Sequence, residues 1–293
     1  MPKKMLLVLN PVSGKRAGAL NQQKLLQVLG REYQIELFLT RAKGDATAVV
    51  RETAGGFDVI ACCGGDGTLN EVILGLLPLA EKPPLVCIPA GTTNLLAETL
   101  GIPVRILPAA EQMLLGKPRP FDIAQMGEHC FASVVSFGAF ADSSYNTSQK
   151  LKNAMGYAAY VIGGFKSLFH LGSYPLKIRH EDQAIEGEYI FGSISNCAAV
   201  GGILKFQPGV VVVDDGLFEV LLVKKPKSVA DFFRILRCVR KREYPPAYFC
   251  HFRTATVSLS SEKPLPWTID GEYKGDFQDV DVRILKNAIS VIY

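Results

Sequence analysis

The side chains best able to do chemistry lie in one glycine-rich loop and two short acidic stretches. The loop is Gly64-Gly65-Asp66-Gly67-Thr68, within ACCGGDGTLNEVILGLL. Glycines without a Cβ let backbone N–H groups approach a ligand closely, and a helix N-terminus adds partial positive charge. An aspartate set among glycines, where an apolar run gives way to a helical pattern, therefore points to a phosphate cradle that carries a carboxylate. Thr68-x-x-Glu71 also reads as a capping box, and Thr93 or Asn94 could cap the next helix. Capping needs one such residue per loop, however, and leaves three glycines within four positions unexplained. The acidic stretches are Asp270-Gly271-Glu272 and Asp214-Asp215-Gly216. Either could be a tight turn between strands. The first could also bring a carboxylate base to an acceptor hydroxyl.

The elements that must position these residues follow from the hydrophobic pattern. Over the first 120 or so residues, apolar runs alternate with helical patterns: KMLLVLN, YQIELFLT, FDVIACC and PLVCIPA are each followed by a helix. That spacing predicts βαβ units and a parallel sheet with right-handed crossovers. Beyond Pro120 the pattern is mostly strands and turns, interrupted by helices expected around Leu151–Phe169 and Ser228–Arg242. The fold class expected is α/β plus β. An α/β nucleotide-binding domain would occupy residues 1–120 and an antiparallel β-rich domain residues 121–293. Ligands of open parallel sheets bind beyond the carboxyl ends of the strands. Four loops should converge there: Asn10–Lys15, Thr40-Arg41, Gly64–Thr68 and Ala90–Asn94.

Composition narrows the function classes. The 293 residues are 48% hydrophobic and 20% charged, with a net charge of +4. This suits a globular protein, and no apolar run reaches the ~18 residues of a membrane span. The N-terminal apolar run is too short for a signal peptide, so a cytoplasmic location is expected. The seven cysteines form no C-x-x-C pair, and His129, His170, His180 and His251 are isolated. Neither a zinc site nor a disulfide framework is indicated. No G-x-S-x-G elbow, Walker loop or opening G-x-G-x-x-G is present.

GGDGTLNEV (Gly64–Val72), preceded by NPVSG and followed by PAGTTN, resembles the diacylglycerol kinase catalytic-domain family, which includes bacterial soluble lipid kinases and the sphingosine and ceramide kinases. Motif order and the two-part pattern carry the resemblance over essentially the whole chain. It implies that ATP is bound by Asn10, Ser13, Gly14, Thr40, Gly65, Asp66, Gly67, Thr68, Leu69, Asn70, Glu71 and Thr92, and that a lipid hydroxyl, most simply that of diacylglycerol, receives the γ-phosphate. Asp66 would sit beside the phosphates, holding Mg²⁺ or orienting the acceptor. Glu272 is assigned as proton acceptor with Asp270 as the second candidate, and sequence does not separate them. The resemblance further implies a structural Mg²⁺ on the Asp215 carboxylate and the carbonyls of Val212 and Leu217. Partners expected are a lipid substrate at a membrane surface, through peripheral contact, and no nucleic acid; a homodimer is left open. Lys150–Gly172 and Lys224–Tyr244 are the candidate membrane-facing segments. An NAD kinase-like activity on a soluble nucleotide and a non-catalytic lipid- or nucleotide-binding regulator are the alternatives.

Overall fold

The computed structural model describes residues 2–14, 22–138, 173–200 and 204–293. The expected helix at Leu151–Phe169, the whole Lys150–Gly172 segment around it, and Lys15 lie outside them. Four strands form the parallel layer: β1 (Lys3–Leu9), β2 (Tyr33–Leu39), β3 (Val59–Gly64) and β4 (Leu85–Pro89). All six residues of β3 and all five of β4 are buried, as expected for strands covered by helices on both faces. Their registers align the carboxyl ends: Leu9 pairs with Leu39 and Cys63, and Gly64 pairs with Pro89. The loops that follow therefore leave the sheet along one rim.

Helices cover this layer through apolar stripes. In α1 (Gln22–Leu29) the buried residues Leu25, Val28 and Leu29 recur at i, i+3 and i+4, the spacing of one helix face. They are followed by α2 (Asp45–Thr53), α3 (Asp66–Leu76), α4 (Leu95–Thr99) and α5 (Ile106–Leu115).

The second half is antiparallel. It comprises β5 (Pro118–Met126), β6 (His129–Phe131), β7 (Val134–Gly138), β8 (Tyr174–His180), β9 (Gln183–Ser195), β12 (Phe218–Lys224), β13 (Phe249–Thr254), β14 (Thr256–Ile269) and β15 (Glu272–Ile292). Among the described residues, a ribbon of β10 (Ala199–Val200) and β11 (Leu204–Lys205) and one helix, α6 (Val229–Lys241), accompany these strands. Strands β7, β8, β9, β12, β14 and β15 enclose a core around Trp267 and Phe137, whose rings lie 4.8 Å apart.

The two halves share one sheet. The 21-residue strand β15 begins in a hairpin with β14 and ends with Val291 and Ile292 paired in parallel to Leu85 and Val86 of β4. Residue 120 falls within β5, where Pro120 pairs with Ser290 of the same long strand.

Candidate active site

The glycine-rich loops meet through backbone contact. A Cβ on Gly91 would lie 2.5 Å from the Cα of Gly65, so the Gly91 loop tolerates no side chain at that crossing, and one on Gly65 would be crowded at 3.2 Å. Side chains complete the lock: Asn10 Nδ2 donates to Thr68 Oγ1 at 2.9 Å, and the amide of Gly65 donates to Ser13 Oγ at 3.1 Å. Thr40 joins the rim by its N–H to the carbonyl of Leu9, 3.0 Å away. Asn10, Ser13, Gly14, Thr40, Gly65, Asp66, Gly67 and Thr68 are thus brought together, with the exposed Thr92 on the neighbouring loop. Leu69 is only 4% exposed and packs into the core. Its side chain therefore serves packing, and a nucleotide could meet only its backbone.

Gly67 differs from its neighbours. It lies in the first turn of α3, no atom stands within 4 Å of where its Cβ would be, and it is not among the positive-φ glycines. Glycine in a helix costs about 1 kcal/mol relative to alanine, and here neither packing nor backbone conformation calls for it. The open space lies at the N-terminus of an 11-residue helix whose N-cap, Gly65, offers no side-chain acceptor. Unsatisfied amides and the helix dipole make this a place for an anion.

The capping box that Thr68 and Glu71 could make does not form. Thr68 lies inside α3 with its hydroxyl engaged by Asn10, and Glu71 Oε1 accepts instead from the amide of Gly44 at 3.0 Å. Nor does Asn94 cap α4 with its own side chain, which is turned back onto the backbone of Gly91. The cap comes from Asp66. Its Oδ2 accepts from the amide of Asn94 at 2.9 Å and its Oδ1 from that of Leu95 at 2.7 Å. Burial raises the Asp66 pKa, and these amides pull it back down. Asp66 thus ties the loop after β3 to the helix after β4, and both its oxygens are committed.

Asp270 and Glu272 differ sharply in setting. Asp270 and Gly271 form the two-residue turn between β14 and β15, both with positive φ (50° and 82°), as type I′ hairpins require. The turn aims the Asp270 carboxyl inward. Its Oδ1 accepts from the amide of Val134 at 3.0 Å, while Oδ2 is buried without a hydrogen-bond partner. Burial, and after it the repulsion of Asp66, lift the Asp270 pKa to about 7 against the opposing pull of the Val134 amide. Glu272 is half exposed and bridged to Lys43 Nζ at 2.7 Å and Lys274 Nζ at 3.1 Å. Those lysines, Lys43 foremost, hold its pKa below the usual range. Lys43 belongs to the loop after β2, so this bridge joins the β half to the rim.

The Asp215 turn does not fit a divalent cation. Asp215 Oδ2 is in contact with the Arg253 guanidinium, and Oδ1 accepts from the amide of Leu217 at 2.9 Å. Arg253 Nε also reaches Glu219 at 2.9 Å, and Glu219 bonds His251 at 2.8 Å. A guanidinium thus already faces the carboxylate expected to bind Mg²⁺ alongside Val212 and Leu217. No grouping of three or more acidic, histidine or cysteine residues suited to a metal occurs among the described residues. Asp122, which the sequence did not single out, holds this turn from the other side. Fully buried, it accepts from the amides of Gly216 and Asn287, each at 2.6 Å. Nothing in its local sequence, PFDIAQM, distinguishes it except a charge inside an apolar strand.

Comparison with known proteins bears on the whole chain. The family description "Diacylglycerol kinase catalytic domain" matches residues 4–126, and "YegS C-terminal NAD kinase beta sandwich-like domain" matches residues 133–293. A diacylglycerol kinase of Bacillus subtilis (strain 168) is 32% identical over 277 residues, covering 93% of this chain and 91% of that protein. One from Staphylococcus saprophyticus is 30% identical over 278 residues, covering 94% and 90%. Among solved structures, a protein of Bacillus anthracis str. Sterne assigned as a diacylglycerol kinase superposes with a TM-score of 0.84 at 26% identity, covering 99% of this chain and 97% of that one. Among the described residues, no helix is long and apolar enough to cross a membrane.

Proposed function

We propose a lipid kinase, proceeding from the fact that this chain belongs to the diacylglycerol kinase catalytic-domain family: ATP binds along the glycine-rich rim, and its γ-phosphate passes to a lipid hydroxyl, with diacylglycerol the leading substrate. The names of the relatives support the kinase class. The observation that carries the chemistry is the Asp270 carboxyl, with one oxygen bonded to a backbone amide, the other buried and unpartnered, and a pKa of about 7. A general base works best when its pKa lies near the working pH.

In this reading the phosphates lie over Gly67 and the first turn of α3. The lipid hydroxyl gives its proton to Asp270 Oδ2 as its oxygen bonds to the γ-phosphorus. The bond from that phosphorus to the β–γ bridging oxygen breaks, and ADP leaves. Glu272, already ionised and held by two lysines, is the poorer proton acceptor and fits a positioning role, keeping the loop after β2 against the hairpin. Mg²⁺ brought with the nucleotide supplies charge neutralisation on the phosphates when bound.

The test is phosphate transfer from labelled ATP by purified protein, supplied in turn with diacylglycerol in micelles, other lipid alcohols, NAD, and no acceptor. Label in the lipid fraction alone supports the reading. Label in NAD, or ATP turnover indifferent to the acceptor, overturns it.

A further inference from the structure

Resting on the lipid-kinase reading, we propose that the outward face of α6 is a docking surface for an anionic phospholipid bilayer. The first observation is charge. Residues Lys224–Arg242 hold eight lysines and arginines against one acid, Asp231, a net of +7, whereas the whole chain carries only +4. The rest of the protein is therefore net negative, and its positive field is concentrated in this one segment.

The second observation is how α6 is seated. Ile235 is its one buried residue. Val229, Ala230, Phe233, Arg237, Arg240 and Lys241 follow the spacing of a single helix face, and all are exposed, with Val229 at 39% and Phe233 at 49%. The face runs from apolar at its first turn to basic at its last. Arg234 is taken up by Asp231, and Lys225 by Glu188. Among the described residues, no ion pair engages Arg237, Arg240 or Lys241. An open cleft of about 620 Å³, bounded by the segments that flank the helix, is lined by Lys224, Lys225 and Lys227 but also by Glu186 and Glu188, so it adds little net charge to this surface.

Cations beside an exposed aromatic are what adsorption at a lipid interface uses: charge draws the helix to anionic headgroups and the apolar side chain enters the boundary. A nucleic acid would use the cations but gains nothing from Val229 and Phe233 at the same face.

The experiment is co-sedimentation with vesicles of phosphatidylcholine alone, or with phosphatidylglycerol as a third of the lipid, using the full chain. Wild type is expected to bind only the anionic vesicles and to be released by salt. The triple variant Arg237→Gln, Arg240→Gln, Lys241→Gln should bind on the order of a hundredfold more weakly, and Phe233→Ser more weakly than wild type. Both changes are on the surface, so circular dichroism and melting temperature should match wild type. In kinase assays the triple variant should fail on diacylglycerol in anionic vesicles yet keep wild-type activity on a short-chain, monomerically dispersed diacylglycerol.

Equal binding to neutral vesicles, undiminished binding by the triple variant, or tighter retention by single-stranded RNA than by anionic vesicles would overturn the proposal. The two readings separate cleanly. Charge-dependent vesicle binding without lipid phosphorylation upholds the docking surface and removes the kinase. Phosphorylation of dispersed diacylglycerol without vesicle binding removes the docking surface alone.

Discussion

Asp270 and Glu272 stand two positions apart, yet the fold gives them opposite proton affinities, and that difference makes a measurable prediction. A carboxyl whose folded pKa is raised from 3.8 to about 7 binds its proton more tightly when folded. Its contribution to stability is whole below pH 4 and is lost as pH rises through 7. The reaction needs the deprotonated form, so turnover should climb through pH 7 and level off above it. Asp270→Asn keeps the acceptor for Val134 and removes the buried charge. It should abolish transfer and, at pH 8, raise stability by on the order of 4 kcal/mol, with the gain vanishing near pH 4. Denaturant melts of both proteins across pH check this; a variant less stable than wild type at pH 8 would refute it. Sequence marked both acids and put Glu272 first, without the means to separate them. The ranking depends on which side of the hairpin faces in, and on Asp66 and Val134, which are distant in the chain. For the same reason Asp66 could be singled out but not its cap on α4, where the bonded amides lie 28 and 29 residues on.

At the scale of elements, the loops on the parallel rim were legible because each follows a short apolar strand and carries glycine. The turn at Val212–Leu217 was legible as a turn but not in what holds it, because Arg253 and Asp122 reach it from other strands. Arg253 bridges Asp215 to Glu219, which is only 2% exposed. Removing one partner of a buried pair leaves the other charge uncompensated, at a cost of about 3–5 kcal/mol when both are buried. Arg253 is partly exposed, so Arg253→Ala should cost about 2 kcal/mol. Wild type without nucleotide should keep its melting temperature in EDTA, since a guanidinium already serves the turn. A fall in wild-type melting temperature on chelation, restored by Mg²⁺, would assign the turn to a metal instead.

For the whole molecule, the decisive element is the end of β15. The change from alternating strands and helices to strands alone correctly suggests an α/β half and a β half, because local periodicity records local structure. It cannot reveal that the last strand returns to the first layer, since Val291 and Leu85 lie far apart in the chain and any apolar strand could fill the place. Domains joined only by a linker and a polar interface tend to unfold separately. Here Val291 is fully buried between β4 and β5, in register with Leu85 on one side and Arg119 on the other. The halves should therefore melt as one cooperative unit, with a single calorimetric transition whose van't Hoff and calorimetric enthalpies agree. Val291→Ala removes two buried methyls at this junction and should lower stability by about 2 kcal/mol. The transition should shift as a whole, because the lost contact belongs to both halves. Two resolved transitions in wild type, or a Val291→Ala shift confined to one of them, would show that the shared strand does not couple the halves energetically. If they are coupled, the hairpin bearing Asp270 is fixed relative to the glycine-rich rim by the same strand that begins at Glu272, and the Lys43–Glu272 bridge has only to set the loop after β2 against it.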